Sequence, residues 1–300
     1  MKKYKPYLTR VDLVKNQVER ERIQEQEAKR KRKQRIQEQN RRNHLRYQEQ
    51  LRSEMAARYF HSVISVGGES FSNTKSLNFD GSNDRVEVNN TLANGFSELS
   101  ISTWVKYANN VATSNRYHPI VAKIGSLGNS FVLRNMRSGA SSNGGELHFM
   151  VLTPDGSFTA FSGVVPSQNV WINVVGTYDG SNVKIYIDGV LKGTASATGN
   201  INTNNTILFL GDSGFGGFSS IFNGAIDEVS IYSRGLTQSE VTSIYNGGAP
   251  NDVSSISNIE AWWRMGDGDT FPTLTDNIGS NNGTMVNMDS GDIQEDVPTN

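Results

Sequence analysis

Apolar residues follow two different rhythms along this chain. Over the first sixty residues they recur three or four apart, at Val11, Val14 and Val18, then at Leu51, Met55 and Tyr59, with Leu45 and Tyr47 just before. No Gly or Pro interrupts residues 9–59, and Arg, Lys, Glu and Gln dominate them. The spacing predicts a long α-helix with Thr9 or Asp12 as its cap, about fifty residues and roughly 75 Å if unbroken. Between Glu19 and His44 the only aliphatic side chains larger than alanine are Ile23 and Ile36. A coiled coil needs an unbroken seam over three or four heptads, so the ends of this arm are expected to dock and its middle to act as a solvated spacer.

The rhythm changes at Ser65-Val66-Gly67-Gly68. From there Gly, Asn, Ser and Thr are abundant, and apolar residues fall in short runs that alternate with polar ones. Strands are expected at 76–79, 85–88, 99–107, 120–123, 130–135, 146–152, 170–178, 183–187, 206–210, 225–232 and 259–265. Turn pairs separate them: Asp80-Gly81, Asp155-Gly156, Asp179-Gly180, Asp188-Gly189 and Gly211-Asp212. In Val183-Lys184-Ile185-Tyr186-Ile187 the odd positions should face a core, with Lys184 and Tyr186 outside. One helix interrupts the strands. Thr237-Gln238-Ser239-Glu240 has the form of a capping box, Val241, Ile244 and Tyr245 make an apolar face, and Gly247-Gly248 should stop it. Many short strands with one helix predict an all-β antiparallel sandwich or jelly roll, carried behind a long basic α-helical arm. The expected division is an arm over 1–60, a linker over 61–74, and a sandwich over 75–300.

Charge sharpens that division. Residues 1–60 carry 18 Lys and Arg against 8 Asp and Glu, leaving 11 against 22 for residues 61–300. Two parts of opposite sign suit different partners. The run Lys29-Arg30-Lys31-Arg32-Lys33 would suit an anionic surface or nucleic acid. A solvated helix face with pairs such as Glu25–Lys29 and Glu27–Lys31 accounts for it better, because no aromatic lies within the run to stack on bases. There is no cysteine, which excludes disulfides and thiolate–metal sites. No apolar run approaches the ~20 residues of a membrane helix, and the N-terminus has neither the apolar core nor the small-residue cleavage site of a signal peptide.

Three stretches, SLNFDGSNDRVEV at 76–88, VWINVVGTYDGSNVKIYIDGVLKGT at 170–194 and FNGAIDEVSIYSRGLTQSEVTSIYNGG at 222–248, resemble the laminin-G-like modules of the concanavalin A-like lectin and glucanase superfamily. The resemblance implies two stacked antiparallel sheets of jelly-roll topology. The segment Ile259-Glu260-Ala261-Trp262-Trp263-Arg264-Met265-Gly266-Asp267 and the residues after it resemble the opening of such modules, here placed last. Residues 258–290 are therefore expected to complete the same sandwich in permuted order, with a strand at Ala261–Arg264 closing beside the early strands.

Glucanase relatives carry Glu-x-Asp-x-x-Glu on one strand for retaining hydrolysis. Here the nearest match is Ala225-Ile226-Asp227-Glu228-Val229-Ser230, which has lost the first acid. Two adjacent acids in a strand should point to opposite faces, so no catalytic pair is expected. His118 and His148 stand alone and are expected to be structural. The resemblance makes Asp80, Asp84 and Asp227 candidates for calcium, the one cofactor it brings in. The plainer account is that Asp80 and Asp84 brace their own turn. Sugar binding calls for exposed aromatics, and Phe215 and Phe218 in a glycine-rich loop, with Tyr107 and Tyr117, are the candidates. Trp104 and Trp171 sit in strands and are expected in the core.

Lectin-like sandwiches work outside cells, yet export signal and disulfides are missing here. Virion proteins, which assemble in the host cytoplasm and leave by lysis, reconcile the two. The expectation is a non-enzymatic bacteriophage virion protein, a fiber, appendage or decoration. Its arm would contact other virion proteins, in a homo-oligomer or not, and its outward head would bind host-surface glycans. The alternatives are a purely structural capsid or tail cement protein without ligand, and an inactive relative of glycoside hydrolases.

Overall fold

Most strands form here where one parity of a run is apolar, and sixteen strands pair into two sheets. The computed structural model describes residues 71–299 except 127, 140–143 and 215–219, together with Lys31. The chain divides into two units, Met1–Glu69 and Ser70–Asn300, and the second carries the sandwich. The expected helical arm, including Lys29, Arg30, Arg32 and Lys33, lies outside the described residues; Lys31 alone is described there, helical and exposed.

In chain order the strands are β1 Ser76–Asp80, β2 Arg85–Val88, β3 Leu99–Tyr107, β4 His118–Gly125, β5 Gly128–Asn135, β6 Leu147–Thr153, β7 Gly156–Phe161 and β8 Trp171–Tyr178. They continue with β9 Asn182–Ile187, β10 Val190–Ser196, β11 Leu208–Leu210 and β12 Asn223–Tyr232. Helix α1 Gln238–Tyr245 follows, then β13 Ile259–Trp263, β14 Thr273–Leu274, β15 Gly283–Val286 and β16 Ile293–Gln294. The first sheet runs β10-β9-β8-β3-β12-β1-β16, with β13 also on β12; the second runs β14-β15-β2-β11-β4-β5-β6-β7. Every named strand pairing is antiparallel.

Between the sheets lies one apolar core that includes Leu77, Phe79, Ile101, Val105, Phe131, Leu133, Phe149, Val151, Val174, Ile185 and Trp263. Each fully buried side chain of this kind contributes about 1.5–3 kcal/mol relative to exposure. Val183, Ile185 and Ile187 face that core while Tyr186 joins a different cluster, the alternation the sequence predicts. The sheets approach closely at Gly176 of β8, where an added Cβ would lie 2.5 Å from Cγ of Phe149 on the opposite sheet. A second cluster forms on the outer face of the first sheet, where Val241 and Ile244 of α1 meet Val175, Tyr186, Tyr232 and Trp262. The capping box forms as expected. The helix stops one residue before the Gly-Gly pair, at Asn246 in the left-handed conformation (φ 47°).

The strands that patterning misses are the polar or short ones. β7 and β10 are edge strands; β7 turns only Phe158 and Ala160 inward, and most of β10 is exposed. β14, β15 and β16 are only two to four residues long. Residues 259–294 nonetheless supply strands to both sheets: β13 pairs with β12, β15 with β2 and β16 with β1. Residues 71–74 also belong to the body. Phe71 stacks on Trp262 at 6.1 Å, and the Thr74 amide donates to Asp267 at 2.9 Å.

A bulge in β12 decides where Asp227 and Glu228 go. Register with β3 slips between Asp227 and Ser230, and Glu228 has φ +49°. Below the slip β12 pairs with β1; above it the same edge pairs with β13. The expected opposite-face arrangement is therefore wrong. One extra residue cancels the alternation, and both carboxyl groups lie on the outer side of the sheet. Asp227 accepts from Asn73 Nδ2 at 2.7 Å. Glu228 accepts from Trp262 Nε1 at 2.5 Å and from Arg264 Nε at 3.2 Å. Asp227 is 0% and Glu228 6% exposed. Burial, reinforced by the charge of Glu228, pushes the Asp227 carboxyl far above the usual carboxylate range. Burial raises Glu228 to about 7 against the pull of Arg264.

Two outcomes are expected. Gly176→Ala should destabilise the fold by about 1–3 kcal/mol in chemical denaturation, and adding Phe149→Leu should cost less than the two single changes summed, because both act on one contact. Glu228 holds its proton more tightly folded than unfolded, so its contribution is full below pH 4.5 and fades as pH rises through about 7. Glu228→Gln should remove that component of the slope, and melting curves from pH 4.5 to 8 in both proteins would reveal it.

Candidate ligand cleft on the first sheet

Alternation on β3 and β8 exposes two tryptophans to the outer side. Ile101, Val105 and Tyr107 of β3 and Ile172 and Val174 of β8 point into the core, so Trp104 and Trp171 have the other parity. The register sets Lys106 opposite Trp171 and Trp104 opposite Asn173, which makes the two indoles diagonal neighbours. The sequence expectation that both belong to the core is thus corrected by parity. Trp104 is 3% exposed; what covers it is α1. Tyr245, the last helical residue, stacks on Trp104 with centroids 5.8 Å apart and planes at 23°. Gly189 in the β9–β10 turn lies beneath that tyrosine, where a Cβ would sit 3.2 Å from Cδ1.

Trp104, Trp171, Tyr245, Asp188, Gly247, Gly248 and Thr299 line a cleft of about 270 Å³. Ligand pockets usually span about 300–1,000 Å³, so this one suits a single ring better than a long chain. Asp188 is held in the left-handed region (φ +50°), and its Oδ1 accepts from the Asn173 amide at 2.9 Å. Burial raises its carboxyl above the ordinary value. Lys106 Nζ sits 5.3 Å over the Trp171 ring. Trp171 Nε1 donates to Asp296 Oδ1 at 3.2 Å, which fixes the indole plane. The α1 capping box, with Arg234 Nη1 donating to Glu240 at 2.9 Å, anchors the helix that supplies Tyr245. Flat aromatic walls with one carboxylate acceptor suit stacking on an apolar ring face while a hydroxyl donates to Asp188.

The residues singled out from sequence fare differently. Tyr107 is fully buried; its ring packs 5.0 Å from Phe222 and its hydroxyl donates to Asn135. It shares the inward parity of Ile101 and Val105, so the expectation of a surface role is wrong. Tyr117 lies on the other sheet, beneath Arg134. Phe215 and Phe218 lie outside the described residues. Asp80 and Asp84 brace one turn: Asp84 Oδ2 accepts from the Asp80 amide at 2.8 Å, and Asp80 Oδ1 from Ser82 at 2.7 Å. Burial raises Asp84 to about 6, with Asp80 adding to it. Asp227 is not brought to them, since Asp80 pairs with Asn223 at the far end of the β1–β12 ladder. Among the described residues no three His, Asp or Glu side chains are placed to hold a metal ion, so the three aspartates do not fit a shared calcium. His118 and His148 are buried and structural. Burial lowers them to about 4 and about 3, which leaves both neutral near pH 7.

Trp104, Trp171, Asp188 and Tyr245 are the site residues that sequence reasoning misses. A signal existed for one of them, because Trp104 stands three residues after Ile101 and one before Val105, on the wrong parity for the core.

Comparison with known proteins supports the architecture. A carbohydrate-binding protein of Bacteroides ovatus, so described provisionally, superposes with a TM-score of 0.57 at 19% identity, covering 76% of this chain and 62% of its own length. This chain thus spans less than two thirds of that protein. A heptameric SAP-like pentraxin from Limulus polyphemus gives 0.48 at 14% identity, covering 71% of this chain and 95% of its own. Domain 4 of AbnA, a GH43 extracellular arabinanase of Geobacillus stearothermophilus bound to arabinotriose, gives 0.45 at 21% identity, covering 60% and 82%. No curated protein sequence matches. The two-sheet architecture and a family match over residues 80–242, more than half of the chain, agree: this chain belongs to the laminin-G-like family of the concanavalin A-like lectin/glucanases superfamily.

Proposed function

We propose that the body is a non-catalytic carbohydrate-binding module that seats a sugar ring in the Trp104–Trp171–Tyr245 cleft. The observation that carries this is the pairing of an aromatic wall with the Asp188 carboxyl in a cleft of ring size. A related fold in Bacteroides ovatus being described for carbohydrate binding is in keeping with it. Asp227 and Glu228, the nearest counterparts of glucanase acids, are buried against Asn73, Trp262 and Arg264. No substrate bond reaches them there, which supports binding without hydrolysis.

The chain as a whole is proposed to be a bacteriophage virion component. Its basic residues 1–60 would attach it to other virion proteins, and its acidic body would face outward toward host-surface glycans. The opposite net charges of the two parts favour this division of labour. The alternative of a cement protein without ligand differs from it in one respect, the absence of glycan binding.

Trp171 is half-buried and can be truncated without opening the core. On a glycan array and in calorimetry with the full chain, Trp171→Ala should weaken the best ligand tenfold or more, about 1.4 kcal/mol, with little change in melting temperature. Unchanged affinity would overturn the cleft assignment, and an array without any binder would favour the cement protein. Antibody to the chain should label gradient-purified phage particles from the source culture, and deletion of residues 1–60 should leave the body in the unbound fraction. Label confined to soluble fractions would sink the virion role.

A further inference from the structure

The outer face of the second sheet carries an arrangement that the cleft does not use. Cross-strand register sets Arg134 of β5, His148 of β6 and Phe161 of β7 in one row, with Tyr117 just before β4. Arg134 lies 4.1 Å over the Tyr117 ring and Arg137 5.8 Å from it. Arg134 Nε donates to His148 Nε2 at 3.2 Å, which fixes the guanidinium plane. His148 lies 5.6 Å from Phe161, and Phe161 is 44% exposed, among the most exposed large apolar side chains described.

Charge pairing makes the row unusual. The body from residue 71 onward holds six arginines. Arg85, Arg234 and Arg264 each have a carboxylate partner. Among the described residues Arg116, Arg134 and Arg137 have none, and these three flank or cover Tyr117. The parts of the body not described, 127, 140–143, 215–219 and 300, contain no Asp or Glu. Partly buried cations are ordinarily matched by an acid. Here a guanidinium in a body of net negative charge is oriented by a neutral imidazole, and its terminal NH groups have no acidic partner among the described residues. Arg pairs bidentately with planar oxyanions, while an exposed ring two strands away, roughly 10 Å, offers a platform for an apolar sugar face.

We infer that this row is a second binding site, for an acidic oligosaccharide. Arg134 and Arg137 hold its carboxylate or sulfate, and Phe161 stacks on a neighbouring ring. The overall negative charge of the body disfavours diffuse attraction of polyanions, so affinity depends on this local geometry. Tyr117, picked out from sequence as a sugar-contacting aromatic, serves instead as the support under the arginines.

The test uses the full chain and calorimetry with three acidic probes, oligogalacturonate, oligomannuronate and a sulfated heparin disaccharide. The neutral counterparts are the methyl esters of the first two and the desulfated, carboxyl-reduced form of the third. At least one acid form should bind ten times or more tightly than its neutral partner. Arg137→Gln, at an exposed position, and Phe161→Ala should each lose about tenfold of that affinity with an unchanged melting temperature. Arg134→Gln should lose more, and Trp171→Ala should leave it intact. Absence of binding by all three acid forms, equal binding of acid and neutral forms, or full affinity in Arg137→Gln would overturn the site. Loss in Trp171→Ala would place the acidic ligand in the first cleft and overturn it too. Inorganic sulfate competing as well as the oligosaccharide would refute the sugar contact.

Discussion

Two sheets burying one parity of side chains against each other is the constraint from which the rest follows. Once Ile101, Val105, Val174 and Ile185 of the first sheet meet Phe131, Phe149 and Val151 of the second, every intervening residue must face outward. That frees Trp104 and Trp171 on one side of the sandwich and Arg134 and His148 on the other. The contact of Phe149 with the bare backbone of Gly176 shows how closely the layers approach. A side chain larger than hydrogen at that point would push apart the layers that define both outer faces.

The outer faces are then specialised by what is laid across them. On the first sheet α1 covers the strands with Val241 and Ile244 and places Tyr245 over Trp104. The β12 bulge marks where the edge of that strand passes from β1 to β13, and the two acids turned outward there join three distant pieces of chain. Asn73 comes from the start of the body, Asp227 and Glu228 from β12, and Trp262 and Arg264 from β13 and the residue after it. Asp227 and Glu228 thus form a buried joint between these pieces. Among the described residues no α-helix lies over the Arg134 row of the second sheet, whose paired strands carry charge and exposed aromatic surface instead.

Much of the fold was legible because alternation and turn chemistry are local. The bounds of β2 and β3 agree with the pattern to the residue, and the Thr237–Glu240 capping box forms as written. Edge strands escaped because solvent accepts any residue on both their faces, as in β10. The candidate site was less legible. Tyr107 looked available because it is aromatic, and it is core because it is two residues from Val105. Trp104 looked like core for the same chemical reason, and parity puts it outside. Asp227 and Glu228 defied parity because a bulge adds a residue, which depends on the partner strand.

The sequence by itself determined that residues from 75 onward alternate into short strands, that one capped helix interrupts them, and that basic and acidic charge fall in separate parts of the chain. Each of these rests on contacts between near neighbours in the chain. Only tertiary structure decided which aromatics share a cleft, which arginines lack an acid among the described residues, and which acids are buried. Those outcomes depend on side chains from strands tens or hundreds of residues apart. Trp104 stacks on Tyr245, and Asn73 donates to Asp227, 154 residues further along the chain.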